Sequence, residues 1–437
     1  MQILSYLGFL LLGILVTGGL MIGFMDVVRG TPIKTVGAPG QGTCCPSVDD
    51  PFFRESIELL THVKLKPGHG VEFFINGDQT YPRLFEDLRN AKSSITIQLY
   101  FANKGKMADT LQGILIERAK AGIEVRFLHD AFGTTLKKAY FKPLEDAGVI
   151  ILPFRPFSFK ALQKTQHRAH IRVIVIDGEV GYTGGFGIDD KWFGSGRDKD
   201  QWRDTNVRFT GPAVRQLQAT FVVCWAEASS SLLTEDKLFP PNLRPEYGDE
   251  NEAGGILASV LHASPTIGST PAERFFVLSI AAARERLWIS NSYFVPEMAF
   301  RKLLCDAAQR GVDVRVLTVS KATDTKSTWY AGRARYEELL TGGVRMFEYQ
   351  PVMMHAKTIV VDGQWLSVGS MNADNRSISF NDESNLVVLD EGAGARMEEM
   401  YLEDLKYAEE IKLDEFMKRG WTDKIAEHAC HLVWRVL

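Results

Sequence analysis

Short apolar runs alternate with amphipathic stretches along most of the chain. Residues 81–91 and 107–121 show the spacing of apolar positions that is typical of helices. Residues 94–101, 122–128 and 148–154 are rich in β-branched and aromatic side chains, as strands are. Strands that alternate with helices favour parallel pairing and helices packed against the sheet. The pattern therefore predicts an α/β sandwich.

The same order of elements returns in the second part of the chain. The strand pattern at 286–294 resembles the one at 94–101, and the helix end and strand at 307–317 resemble 119–128. The offset of about 190 residues is too long for a solenoid repeat. We therefore expect two homologous halves rather than a repeat array.

The predicted boundaries follow from this repeat and from the composition between its copies. A stretch rich in small residues precedes the first half, and a stretch with prolines and acidic residues separates the halves. The expected segments are a membrane anchor at 1–30, a tether at 31–55, the first half at 56–238, a linker at 239–255 and the second half at 256–437, which ends in an amphipathic helix.

The N-terminal run at 3–25 contains 23 residues without a charge, which is long enough to cross a bilayer as a helix. A cleavable signal peptide usually has a positive start and a shorter apolar core, so we expect an uncleaved transmembrane anchor, with the signal peptide as the alternative. Arg29 and Lys34 follow the run while no Lys or Arg precedes it, which favours a cytoplasmic body. The amphipathic segment from Phe416 onward suits either a membrane interface or core packing.

The composition is that of an ordinary globular protein, with 437 residues, 45% hydrophobic and 24% charged. A net charge of −4 gives no general argument for nucleic-acid binding. The five cysteines are scattered apart from the adjacent Cys44 and Cys45, which predicts neither a disulfide framework nor a zinc site. Neither a metal nor another cofactor is expected.

His355, Lys357 and Asp362 lie within or beside a short apolar run that is typical of a strand. All three have side chains that can take part in catalysis. Residues two apart on a strand share a face, so His355 and Lys357 point the same way. An imidazole beside an ammonium group suits attack on a phosphate, because the imidazole acts as nucleophile or general acid and the cation offsets oxyanion charge. Asp362 also belongs to the candidate catalytic set. It stands seven positions after His355 and would therefore face the other side of a regular strand, which favours a supporting role.

The chain carries this pattern twice. His170, Arg172 and Asp177 repeat the spacing of the later motif, with Arg in place of Lys. Each copy is followed by a glycine-containing turn and then by a carboxylate, Asp204 after the first copy and Glu383 after the second. The repetition indicates one active site built from two half-sites, whereas a lone His and Lys on a strand would more often be solvated bystanders.

Two His-x-Lys-x4-Asp motifs in one chain resemble the hallmark of the phospholipase D superfamily, and the surrounding residues are most similar to bacterial cardiolipin synthases. The phrases that carry the resemblance are those at 202–208, 347–357, 368–372 and 376–377. The resemblance extends over 71–390, nearly all of the chain after the tether. It implies two phospholipase D-like α/β halves around one shared active site, with no need for a metal.

The resemblance also implies a two-step displacement at phosphorus. One histidine, His170 by analogy with the family, forms a phosphohistidine, while the other protonates the leaving alkoxide and later deprotonates the incoming alcohol. Asp204 and Glu383 are the candidates for orienting the imidazoles. Ser370 and Asn372 are expected to bind phosphate oxygens.

The expected activity is transfer of a phosphatidyl group from one phosphatidylglycerol to a second, which forms cardiolipin and glycerol at the bacterial inner membrane. Phospholipid hydrolysis, nuclease activity and a non-catalytic lipid-binding role are the alternatives, and no nucleic-acid partner is expected. Two residues depart from the family pattern: Arg172 stands in place of Lys, and Gly187 stands where the second half has Asn372. The oligomeric state is not predicted.

Overall fold

The computed structural model describes most of the chain after the N-terminal run. The described residues are 6, 8, 10, 12–13, 16–19, 32–37, 44–157, 167–241, 255–266 and 268–431. The predicted anchor at 3–25 and the predicted linker at 239–255 lie largely outside them. Within the described part of the chain, no helix is both long and apolar enough to cross a membrane.

Helices and strands alternate through the first part of the chain. They are α1 Pro51–Thr61, β1 Lys66–Ile75, α2 Asn76–Arg89, β2 Ser94–Leu99, α3 Lys106–Lys120, β3 Glu124–Asp130, α4 Lys138–Asp146, β4 Ile150–Phe154, β5 Arg172–Ile176, β6 Val180–Gly184, a 3-10 turn Asp190–Trp192, β7 Trp202–Arg203, β8 Thr205–Thr210 and α5 Ala213–Ser229.

A similar series follows in the second part. Its elements are β9 Ile256–Ala263, α6 Pro271–Ala282, β10 Arg286–Asn291, α7 Met298–Gln309, β11 Asp313–Val319, α8 Lys326–Arg333, α9 Tyr336–Thr341, β12 Arg345–Tyr349, β13 Met353–Met354, β14 Lys357–Val361, β15 Trp365–Gly369, α10 Asn375–Ser379, β16 Glu383–Leu389, α11 Glu391–Leu405, β17 Ala408–Ile411, α12 Leu413–Met417 and α13 Trp421–His431.

The end of the predicted tether is helical rather than extended. Pro51 stands in the first turn of α1, where its missing N–H is not needed, and the Asp50 side chain caps that turn by accepting from the Phe52 N–H. Phe53 and Ile57 are fully buried in the core. The apolar face of α1 therefore belongs to the folded body, although the prediction assigned its first residues to the tether.

Fifteen of the described strands form one sheet, with β1 and β9 paired at its centre. Outward from β1 the order is β8, β6, β5, β2, β3 and β4, which we call the N-terminal group. Outward from β9 it is β16, β15, β14, β10, β11 and β12, the C-terminal group, followed by β17. When the sheet strands of each group are numbered in chain order, strands with the same number occupy the same position relative to the centre of the sheet.

Helices cover both faces of the sheet, which confirms the predicted α/β class. Helices α2, α3 and α4 pack on one apolar cluster, whereas α5 and α11 pack on another that receives side chains from both groups of strands.

The predicted parallel pairing is confirmed for the strands that alternate with helices, whereas the antiparallel strands that follow them were not predicted. Strands β2, β3 and β4 are parallel, but β5 and β6 form an antiparallel hairpin. No helix separates β5 from β6, and two strands joined by a tight turn must run in opposite directions.

Two short cross-connections link the groups away from the centre. Strand β7 pairs with β13, and the N–H of His355 donates to the carbonyl of Arg203 at 2.6 Å. On the other side, Ala169 forms a bridge with Asp382, whose N–H donates to the carbonyl of Arg168 at 2.9 Å. Each connection therefore brings the residues next to a motif histidine against the opposite group.

Candidate active site

Two histidines from distant parts of the chain meet at one cavity of about 460 Å³. His170 lies just before β5 and His355 just before β14, and both side chains are buried. The structure thus brings the two motif histidines together, as the duplicated pattern predicts. Other lining residues that bear on the chemistry are Tyr100, Arg172, Trp192, Asn372, Arg376 and Asn381.

The carboxyl group of Glu383 holds the His170 imidazole. Both of its oxygens lie 3.0 Å from His170 Nδ1. Glu383 begins β16, so it comes from the opposite group of strands. Ser370 Oγ donates to Glu383 Oε2 at 2.5 Å, so the Ser370 hydroxyl helps to orient the carboxyl group, while its contact with phosphate stays a prediction.

The second histidine is held in the same way by the first group. Asp204 Oδ2 lies 2.9 Å from His355 Nδ1, and Asp204 follows directly on β7, which pairs with the residues before His355. The two carboxylates are thus exchanged between the groups. In both pairs the Nδ1 atom is engaged, which leaves Nε2 as the nitrogen available to a substrate.

The two motif cations are buried beside their own histidines. The Arg172 guanidinium donates to the carbonyls of His170 and Phe186, and Lys357 Nζ donates to the carbonyl of His355 and to Ser292 Oγ at 2.7 Å. Burial lowers the pKa of Lys357 to about 7. A phosphate anion bound in the cavity would favour the charged form of Lys357.

Titration of the site is dominated by burial. Burial lowers the pKa of both motif histidines well below the usual range, and the nearby charges of Arg172 and Lys357 act in the same direction. Burial also raises the pKa of Asp204 to about 6 and that of Glu383 to about 8. At neutral pH the imidazoles are therefore neutral, Asp204 is ionised and Glu383 is protonated.

Asp177 and Asp362 do not lie at the cavity. Each is the first residue of the tight turn that follows its strand and has a positive φ, 56° for Asp177 and 48° for Asp362. Asp177 accepts from the backbone N–H groups of 92–94, and Asp362 from those of 284–286. Both carboxylates therefore fix the loop that enters a neighbouring strand, as their parity suggested, and the structure does not support their place in the catalytic set.

The glycine that stands at 187, where the pattern of the second motif has an asparagine, has a structural reason. A Cβ at Gly187 would lie 2.9 Å from the Phe101 carbonyl oxygen and 3.0 Å from the Trp192 ring, so this position has no room for a side chain such as that of asparagine. Trp192 Nε1 donates to Asp204 Oδ2 at 2.8 Å. At Gly185 a Cβ would come within 2.3 Å of Asp204 Oδ1, which shows how closely that carboxylate approaches the turn. The departure at Gly187 therefore makes the site asymmetric without removing the His355–Asp204 pair.

Comparison with known proteins places the chain in a family. The family model described as cardiolipin synthase, PLD-like domain, matches residues 277–405. A cardiolipin synthase of Geobacillus sp. (strain WCH70) is 35% identical over 360 residues, which are 82% of this chain and 70% of that relative. The chain belongs to the cardiolipin synthase family. A probable cardiolipin synthase of Bacillus subtilis (strain 168) is 31% identical over 388 residues, 88% of this chain and 76% of the relative.

The fold of this cardiolipin synthase family member is shared with a more distant protein. A crystal structure of phosphatidylserine synthase from Haemophilus influenzae Rd KW20 superposes with a TM-score of 0.67 at 13% identity, and it covers 88% of this chain and 100% of the other. At this identity the likeness concerns the fold alone. The two proteins therefore share their mixed α/β fold.

Aromatic rings surround the two imidazoles of this family member, and these site residues were not predicted from the sequence. The Tyr100 ring meets His170 edge-on at 5.1 Å, and Tyr293 meets His355 at 6.2 Å. The Trp192 ring also contacts His355, at 5.3 Å. The two tyrosines could have been found, because both stand at the ends of corresponding strand patterns. Among the described residues, no group of three or more His, Cys, Asp or Glu side chains is arranged to hold a metal ion.

Proposed function

We propose that this chain is a phosphatidyltransferase that passes the phosphatidyl group of one phosphatidylglycerol to a second, forming cardiolipin and releasing glycerol. The observation that carries the proposal is the pair of buried imidazoles beside one cavity, each held at Nδ1 by a carboxyl group. Membership of the cardiolipin synthase family supports this choice of substrate. The proposal treats the two groups of strands as homologous halves, which their identical strand order supports.

In the first step, His170 has its proton on Nδ1, which donates to Glu383, and the unprotonated Nε2 attacks the phosphorus of the donor lipid. The P–N bond forms while the bond from phosphorus to the glycerol oxygen breaks, and His355 gives its Nε2 proton to the departing alkoxide. Arg172 and Lys357 offset the negative charge that builds on the phosphate oxygens. The products of this step are glycerol and a phosphohistidine at His170.

In the second step, the acceptor lipid replaces glycerol. His355, now neutral, removes the proton from a glycerol hydroxyl of the second phosphatidylglycerol, and that oxygen attacks phosphorus. The P–N bond breaks and the electron pair returns to His170. Cardiolipin is released with both histidines restored to their starting states.

The division of roles rests on the two carboxyl groups. An imidazolium at His355 would face an ionised Asp204, whose pKa is about 6, whereas His170 faces Glu383, whose pKa of about 8 keeps it protonated at neutral pH. The pair with the ionised carboxylate suits the acid and base, which must carry a positive charge in turn. Both imidazoles are neutral in the empty site, and a bound phosphate anion raises the pKa of His355 toward the value the first step needs.

Lipid substrates require the cavity to reach a membrane. The uncharged run at 3–25 supports a single-pass anchor in the bacterial inner membrane, with the body of the chain on the cytoplasmic side. On α13, Trp421 is 72% and Ile425 is 58% exposed, and such side chains can enter a lipid interface. Phe416, by contrast, is buried against Tyr336, so only part of the predicted amphipathic segment is available to lipid.

The test is incubation of the purified full chain with labelled phosphatidylglycerol in vesicles, followed by separation of the lipids and assay of free glycerol. Cardiolipin with an equal amount of glycerol supports the proposal. Phosphatidic acid as the sole lipid product would make the chain a hydrolase. Absence of turnover, with lipid still bound, would leave a non-catalytic lipid-binding protein.

Single substitutions test the paired site. His170→Ala and His355→Ala should each reduce transfer by at least about a thousandfold, because the nucleophile and the acid act as a unit. His428→Ala, on the exposed surface of α13, is the matched histidine control and should leave transfer unchanged. A fully active His170→Ala protein would refute the two-histidine mechanism.

A further inference from the structure

One wall of the cavity carries polar groups that the two-histidine mechanism does not use. Arg376 on α10 and Asn381, just after that helix, line the same cavity as the motif histidines. Arg172 and Lys357 already supply buried positive charge beside the reacting phosphate. The additional cation and amide therefore need another explanation.

Arg376 is a half-buried arginine whose donors are unused. Its guanidinium makes no hydrogen bond or ion pair within the described part of the chain. Neighbouring Arg155 differs in this respect, because it is tied to both Glu227 and Asp382. A planar cation with free donors at a cavity wall suits an anion such as a phosphodiester, which accepts two parallel hydrogen bonds.

Asn381 adds an acceptor to this wall. Its side chain is only 6% exposed, and its Nδ2 donates to Glu383 Oε1 at 3.4 Å, which sets the orientation of the amide. The other amide atom, Oδ1, is buried and has no hydrogen-bond partner among the described residues. Buried acceptors are rarely left unpaired, so this oxygen points to a donor on a ligand, such as a hydroxyl group.

The corresponding cation of the first half is already occupied. Lys191 stands seven residues after the glycine that ends β6, as Arg376 does after the glycine that ends β15. The Lys191 ammonium lies 3.8 Å from the centre of the Trp202 ring and 4.1 Å from that of Phe101. These cation–π contacts engage Lys191, so of this equivalent pair Arg376 is the one with unengaged donors.

We propose that Arg376 and Asn381 form the subsite for the acceptor lipid: Arg376 binds the phosphodiester of the incoming phosphatidylglycerol and Asn381 Oδ1 accepts a hydrogen bond from its glycerol. This proposal rests on the proposed transferase function. A headgroup that carries both an anion and a free hydroxyl matches a wall with one free cation and one free acceptor. Water and simple alcohols lack the anion, so the subsite favours a lipid acceptor over hydrolysis.

The experiment measures how one phosphohistidine is partitioned between two acceptors. Full-length protein receives labelled phosphatidylglycerol together with ethanol, and the ratio of cardiolipin to phosphatidylethanol is determined. Both products arise from the same intermediate, so the ratio is independent of the folded fraction and of donor binding. Arg376→Gln should lower this ratio by about 10- to 100-fold, since a charge-assisted contact is lost only for the phosphate-bearing acceptor.

Further variants keep the test decisive. Arg376→Lys, which retains the charge but not the planar fork, should give an intermediate ratio and serves if the glutamine variant fails to fold. Asn381→Ala should lower the ratio by about threefold or more. Arg396→Gln is the matched control, because Arg396 lies on the exposed face of α11 and pairs with Glu399.

The results that would overturn the proposal differ from those that would overturn the transferase function. An unchanged product ratio in Arg376→Gln would assign Arg376 to the reacting phosphate or to folding. A folded Arg376→Gln protein that makes neither product would place Arg376 in the first step and would also refute the acceptor subsite. A wild-type protein that makes neither cardiolipin nor phosphatidylethanol would instead refute the proposed function itself.

Discussion

Replacing Glu383 by glutamine should stabilise the fold at neutral pH. Glu383 is 1% exposed, and burial raises its pKa from 4.5 to about 8, so the folded protein holds this carboxyl group protonated at neutral pH. The unfolded chain ionises it instead. Glutamine has nearly the same shape and no charge to lose, and it can still bond to His170 Nδ1 and Ser370 Oγ.

The size of the effect follows from the difference in proton affinity. Because the folded pKa lies above the unfolded one, wild-type stability falls as the pH rises from about 4.5 to about 8. At pH 7 the loss is roughly 3 kcal/mol, at 1.36 kcal/mol for each pH unit above 4.5. With an unfolding entropy of about 2.1 cal/mol/K per residue over 437 residues, Glu383→Gln should raise Tm by about 3 °C.

The assay is thermal unfolding of both proteins between pH 5 and pH 8. The advantage in Tm of Glu383→Gln over the wild-type protein should be small at pH 5 and should grow up to about pH 8. Asp204→Asn is the matched control, because the Asp204 pKa of about 6 predicts an advantage that stops growing at that pH. A Glu383→Gln protein with the same advantage at pH 5 and pH 8, or with none, would show that Glu383 is not held protonated.

Three further substitutions probe other parts of the site. Asp362→Ala removes the acceptor of the three N–H groups at 284–286, so we expect a loss of about 3 kcal/mol in thermal unfolding, with cardiolipin yield per folded molecule within about threefold of wild type. Arg172→Lys should retain activity within about tenfold in initial-rate assays, because Lys357 makes the equivalent contact in the second motif. Trp192→Phe removes a hydrogen bond that favours ionised Asp204, so the acid limb of the pH–rate profile should move to higher pH; an unmoved limb would contradict this coupling.

Features with a local cause could be predicted from the sequence. The alternation of helices and strands depends on spacing within each element, and the spacing from His355 to Lys357 needs only the geometry of one strand. The same geometry favoured a supporting role for Asp177 and Asp362, and the structure gives each of them three backbone N–H groups to accept from. Parallel pairing was predicted correctly for β2, β3 and β4, which helices separate, whereas the antiparallel hairpin of β5 and β6 was not predicted.

Contacts between distant segments could not be predicted in the same way. The equivalence of Asp204 and Glu383 was visible in the sequence, but it does not say which histidine each one faces. Asp204 reaches a histidine 151 positions away, and Glu383 one that is 213 positions away. Trp192 was missed for a related reason: it fills the space above Gly187, five positions earlier, while its counterpart in the second half is a serine.

The exchange of carboxylates joins the two copies of the motif at one cavity. Taken alone, the first group of strands would carry His170 beside no carboxyl partner, and its own Asp204 would keep the Trp192 N–H but lose its imidazole partner. The second group would have the same two defects, with His355 and Glu383. Burial of such groups is unfavourable unless they are hydrogen-bonded, so each group supplies what the other needs. The short bridges at β7–β13 and at Ala169 therefore stabilise the joined fold and, by the same contacts, hold both motif histidines at the cavity.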